Sequence, residues 1–102
     1  MGIHHRAEET SLRLHAAVAE RVVAEPSRVD DARRRVEAWL EDGSVAREYA
    51  EAWLALLAEP LPVLVARLHE RSERMHDLRQ VSPFAGVLDA RTRWRVLRAR
   101  VS

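Results

Sequence analysis

The chain has 102 residues and a mass of 11.7 kDa, which allows one domain with a modest core and excludes a second. Lys+Arg number 17 against 16 Asp+Glu, a net charge of +1, so the chain is neither a globally basic polyanion binder nor an acidic solvating tail. Absence of cysteine excludes a disulfide framework, a thiolate nucleophile and a thiolate metal site.

An abundance of alanine, leucine and arginine with only three glycines makes the chain all-α. A first helix is expected from about Ala7 to Ala24, where Leu12, Ala16, Ala19 and Val23 recur at helical spacing with Val18 and Val22 beside them; residues 1–6 are expected to fray. Pro26 closes it. Ser27 then reads as an N-cap, followed by a buried face of Val29, Ala32, Val36, Trp39 and Leu40 up to the terminator Gly43. Ser44 reads as the cap of a third helix, Val45 to Ala58, with Val45, Tyr49, Trp53, Leu56 and Leu57 inward. A fourth helix starts at Leu61 or Pro62 and carries Leu64, Val65 and Leu68; a fifth segment, Ser72 to Gln80, either continues it or stands apart. Residues 81–88 are non-helical, and Asp89 caps a last helix running from Ala90 to about Val101, with Ala90, Trp94, Leu97 and Val101 as its apolar face. The expected architecture is a compact bundle of five to six short helices forming a single domain, 1–102.

Charge is distributed unevenly. Residues 71–102 hold eight arginines against Glu73, Asp77 and Asp89, a net +5, so the first seventy residues carry −4. Such a molecule can offer its basic end to an acidic surface or to phosphates without general polyanion affinity. All seventeen basic residues are arginine, a bias that lowers the weight of any single one.

Catalytic patterns are not legible. No nucleophile stands beside a base, the paired acids Asp30-Asp31 and Glu41-Asp42 belong to helix ends, and Gly86 stands alone, so no catalytic residue is assigned and a non-enzymatic role is expected. His69, Glu73 and His76 share a face only if the fourth and fifth segments are one helix; as no fourth ligand accompanies them, they read as solvated residues, with no metal or other cofactor. His4 and His5 read as incidental, and His15 as a partly buried, hydrogen-bonded histidine. The last helix could present Arg91, Arg95, Arg98 and Arg100 to DNA, although groove readers usually add Asn, Gln or Ser to their arginines. No apolar run approaches the roughly 18 residues of a membrane span, and the N-terminus lacks the order of a signal peptide, so a cytoplasmic protein without membrane contact is expected.

The order Ser72-Glu-Arg, Leu78-Arg79, Ser82-Pro-Phe-Ala-Gly-Val-Leu88 and Arg93-Trp94 resembles the C-terminal signature of a group of small bacterial antitoxin-like proteins. The likeness covers about the last third of the chain. It implies the antitoxin half of a two-gene toxin–antitoxin module, with a co-encoded toxin, of nucleotidyltransferase type, as partner. The positions carried over are Ser82, Pro83, Phe84, Gly86, Arg93 and Trp94. Ser82, Phe84, Gly86, Arg93 and Trp94, with Arg79 and Arg91, form the expected partner-binding set within residues 72–98, Phe84 at the apex of a loop turned by Gly86, or else tucked inward as a structural corner. The first arrangement predicts that Phe84→Ala with Arg93→Glu leaves the thermal midpoint nearly unchanged while weakening partner binding. Self-association into a homodimer is left open.

Overall fold

The computed structural model describes residues 2–99, and among them every regular element is α-helical: α1 (Gly2–Ala24), α2 (Ser27–Asp42), α3 (Arg47–Leu57), α4 (Leu61–Leu68), α5 (Glu73–Arg79) and α6 (Ala90–Ala99). The terminal calls at Arg100 and Val101 lie outside the described residues. The all-α bundle expected from composition is what forms, and among the described residues no helix is long and apolar enough to cross a membrane.

α2 and α3 pair as a helical hairpin, while α1 packs against α2, α4, α5 and α6. The core gathers one stripe from each of the first five helices. Val18, Ala19 and Val22 of α1 meet Ala32 and Val36 of α2, Ala50, Trp53 and Leu57 of α3, Leu64 and Leu68 of α4, and Met75 and Leu78 of α5. Val23 is an exception to the expected α1 stripe. At 57% exposure it points to solvent, because the buried positions 12, 15, 18, 19 and 22 follow an i, i+3, i+4, i+7 track that leaves position 23 to one side.

Helix ends explain the boundaries. Gly43 terminates α2 with φ 71°, in the left-handed region open to glycine, and its N–H donates to the Trp39 carbonyl at 2.9 Å. Ser72 caps α5 by accepting the Met75 N–H at 3.2 Å, and Asp89 caps α6 by accepting the Thr92 N–H at 2.7 Å. Two expected caps are not made. Ser27 is already inside α2, entered through Pro26 without a side-chain bond, and Ser44 turns back to the Asp42 carboxylate, so that α3 begins only at Arg47. α1 also starts earlier than its apolar stripe: its backbone is helical from Gly2. Arg33 Nη2 donates to the Leu57 carbonyl at 3.1 Å, tying α2 to the C-terminus of α3.

Candidate functional site

The non-helical segment 81–88 folds inward. Pro83, Phe84 and Val87 are buried, and the Phe84 ring stands edge-on to Trp53 with centroids 5.8 Å apart and planes at 79°. Trp53 is itself fully buried, and its Nε1–H donates to the Leu78 carbonyl at 3.1 Å. Gly86, at φ 87°, closes a turn in which the Val87 N–H donates to the Phe84 carbonyl at 3.1 Å. A Cβ there would meet nothing within 4 Å, so backbone conformation, not crowding, calls for glycine. Of the two arrangements left open for Phe84, the structural corner is the one formed, and the ring does not stand at an exposed loop apex. With its ring in the core, Phe84→Ala must cost stability, which overturns the expectation of an unchanged midpoint.

Ser82 anchors the same segment to α1. Its hydroxyl lies 2.9 Å from His15 Nε2 and accepts the Phe84 N–H at 3.2 Å, while His15 Nδ1 lies 2.8 Å from the Ser11 carbonyl. A carbonyl can only accept, so Nδ1 carries the proton and Ser82 donates to Nε2. Burial holds His15 below its ordinary value of 6.5, outweighing the Ser11 bond that raises it, and the nearby charge of Arg79 lowers it further. The neutral tautomer is thus the one this network needs. Pro83 follows Ser82 and supplies no N–H, so the donor that often stabilises an oxyanion next to a nucleophilic serine is absent here.

Arg79, expected on the partner surface, is 3% exposed. Its Nη1 donates to the carbonyls of Glu70 at 2.7 Å and Leu68 at 3.4 Å, closing the end of α4 and the link to α5. Burial lowers its pKa. That link also separates His69 from Glu73 and His76 by ending α4 at Leu68, and among the described residues no group of three side chains suited to a metal is formed. Between α1, residues 80–88 and α6 lies a cleft of about 620 Å³ whose walls include Leu14, His15, Arg79, Ser82 and Arg93.

α6 is arranged the other way. α6 packs against α1, with Asp89 and Thr92 sharing one cleft with Ala17, Glu20, Arg21 and Ala24, and Arg93 sharing another with Thr10 and Leu14. Thr92, Val96 and Leu97 are half-buried, whereas Trp94 is 60% exposed. The expected docked face through Ala90, Trp94 and Leu97 is corrected accordingly: of these only Leu97 is partly covered. Arg91, Trp94, Arg95 and Arg98 instead follow an i, i+3, i+4, i+7 track and are all exposed, with the Arg98 guanidinium 4.8 Å from the Trp94 ring centroid. Among the described residues, none of Arg91, Arg93, Arg95 or Arg98 makes a salt bridge. Arginines nearer the N-terminus do: Arg21 with Glu25, Arg28 and Arg34 with Asp31, Arg33 with Asp30, Arg47 with Glu51, Arg67 with Glu70 and Arg71 with Glu9.

The expected partner set therefore divides. Phe84, Pro83 and Arg79 are structural, Ser82 is a half-buried tie, Gly86 is an exposed turn, and Arg91, Arg93 and Trp94 are exposed together on α6 with Arg95 and Arg98. His15 was not among the predicted site residues, and nothing in the sequence marks its pairing with Ser82 across 67 positions. Arg79 did leave a signal, since Met75, Leu78 and Arg79 sit at i, i+3 and i+4 on the buried face of α5. No family model, no curated protein and no solved structure matches this chain.

Proposed function

We propose that this is a non-catalytic binding protein of the bacterial cytoplasm, the antitoxin-like subunit of a toxin–antitoxin module, and that it holds its co-encoded toxin through the outer face of α6. The observation that carries this reading is Trp94, 60% exposed on a helix whose neighbouring arginines have no salt-bridge partner among the described residues. Covering the exposed part of one tryptophan, on the order of 100 Å², contributes about 2.5 kcal/mol at ~25 cal/mol per Å². Tryptophan and arginine together are the usual composition of a binding hot spot, and exposed guanidinium groups suit the carboxylates of a nucleotidyltransferase-type toxin. The test is co-purification of the tagged protein with the product of the adjacent gene. Arg91→Glu with Arg95→Glu should abolish capture without loss of helicity, and capture that persists would contradict the reading.

The outward stripe of Arg91, Arg95 and Arg98 also favours a second reading, a DNA-binding regulator using α6. That reading requires sequence-selective retention of upstream DNA whose affinity falls steeply with salt.

A further inference from the structure

The cleft beside α1 contains a buried charge without a counter-ion. Arg79 is almost wholly covered, and among the described residues no carboxylate lies within salt-bridge distance of it; Glu8 and Glu70 act on it only through space. Its Nη1 is bonded to two carbonyls, but among the described residues Nε and Nη2 are buried without a partner. Native proteins pair buried guanidinium groups, so the free edge is an unmet demand for an acceptor. That side chain lines the 620 Å³ cleft, a volume within the range of small-molecule sites. From the α6 side Arg93 lines the same space, and Leu14, Phe84 and Leu88 give it an apolar surface.

The geometry points to a binding site for a small organic phosphate monoester, its phosphate held between Arg79 and Arg93 and its apolar body against Leu14, Phe84 and Leu88. The Nε and Nη2 edge of a guanidinium offers two parallel donors that match an oxyanion bidentately. Two arginines suit a dianion better than a carboxylate. The free edge is covered in this structure, so binding requires the guanidinium to turn toward the cleft; of the two bonds that hold Nη1, the one to Leu68 at 3.4 Å is longer than the one to Glu70 at 2.7 Å. This site goes beyond the protein-partner reading and does not depend on it.

Titration of the isotope-labelled full chain, alone, with phenyl phosphate, inorganic phosphate or benzoate tests the assignment by amide shifts. Expected are saturable changes confined to the amides around Ser11, Ser82–Gly86 and Arg93, with phenyl phosphate binding at least about ten-fold more tightly than either other probe. Arg93→Gln, on an exposed side chain, should weaken that binding at least about five-fold, and Glu8→Gln should tighten it by removing a nearby negative charge. Arg79→Gln should abolish it; because Arg79 also props the α4–α5 link, its own amide spectrum reports whether the fold survives, and Arg93→Gln decides the matter if it does not. No saturable change at millimolar phenyl phosphate, equal affinity for benzoate or inorganic phosphate, or binding unmoved by Arg93→Gln would overturn the assignment.

Discussion

Trp53 and Trp94 sit on helices of nearly equal length, 11 and 10 residues, and do opposite things. Trp53 is sealed in the core, bonded to Leu78 and in edge contact with Phe84, whereas Trp94 keeps most of its surface in water under Arg98. The difference lies in what surrounds each helix. α3 is flanked by α2, α4 and α5, so its apolar track is covered from several sides, while among the described helices α6 contacts α1 alone and its outer face, with Arg91, Trp94, Arg95 and Arg98, is exposed. A short helix gains most of its stability from packing, so a second helix-sized surface on α6 is free to be covered by something other than its own chain.

The sharpest way to break that contrast is to truncate the inner side. Trp53→Ala and Phe84→Ala should each cost about 3–5 kcal/mol, a large share of the roughly 5–15 kcal/mol typical of a domain. Urea midpoints would measure this, and a change under about 1 kcal/mol for Phe84→Ala would return that ring to the surface.

Next in size is the pH response of the His15 tie. Its folded-state pKa lies below 6.5, so between that value and 6.5 the unfolded chain binds the extra proton and stability rises with pH. His15 therefore contributes fully above about pH 6.5, and its contribution is lost as pH falls below that value toward the folded pKa. Urea midpoints near pH 5 and near pH 7.5 should differ more for the native chain than for His15→Gln. Equal differences would mean that the Ser82 bond does not depend on a neutral ring. The smallest expected effect belongs to Asp89→Ala, which removes the cap on Thr92 and should fray only the first turn of α6, read as faster amide exchange at residues 91–93 with the core unchanged.

Helix number and most of the core are legible because periodic apolar residues and the stops at Pro26, Gly43 and Pro60 are local signals. Caps are less legible: Ser72 and Asp89 cap as expected, but Ser44 prefers the Asp42 carboxylate two residues back, a choice between competing local bonds that spacing does not rank. The site is half legible. That Arg91, Trp94, Arg95 and Arg98 form one stripe follows from their spacing, but which side of α6 meets α1 is a tertiary fact, and it reversed the expected orientation of Trp94. The direction of Phe84 was undecidable from Ser-Pro-Phe-Ala-Gly alone, since the partner that draws it inward, Trp53, is thirty-one positions away.

Calorimetric affinity of the Trp94→Ala variant for the proposed co-encoded partner, taken alongside its thermal midpoint, tests most directly the proposal that α6 is the binding face. The expected result is an affinity loss of at least about 2 kcal/mol with a stability change within about 0.5 kcal/mol. Native affinity in a folded Trp94→Ala protein would contradict it.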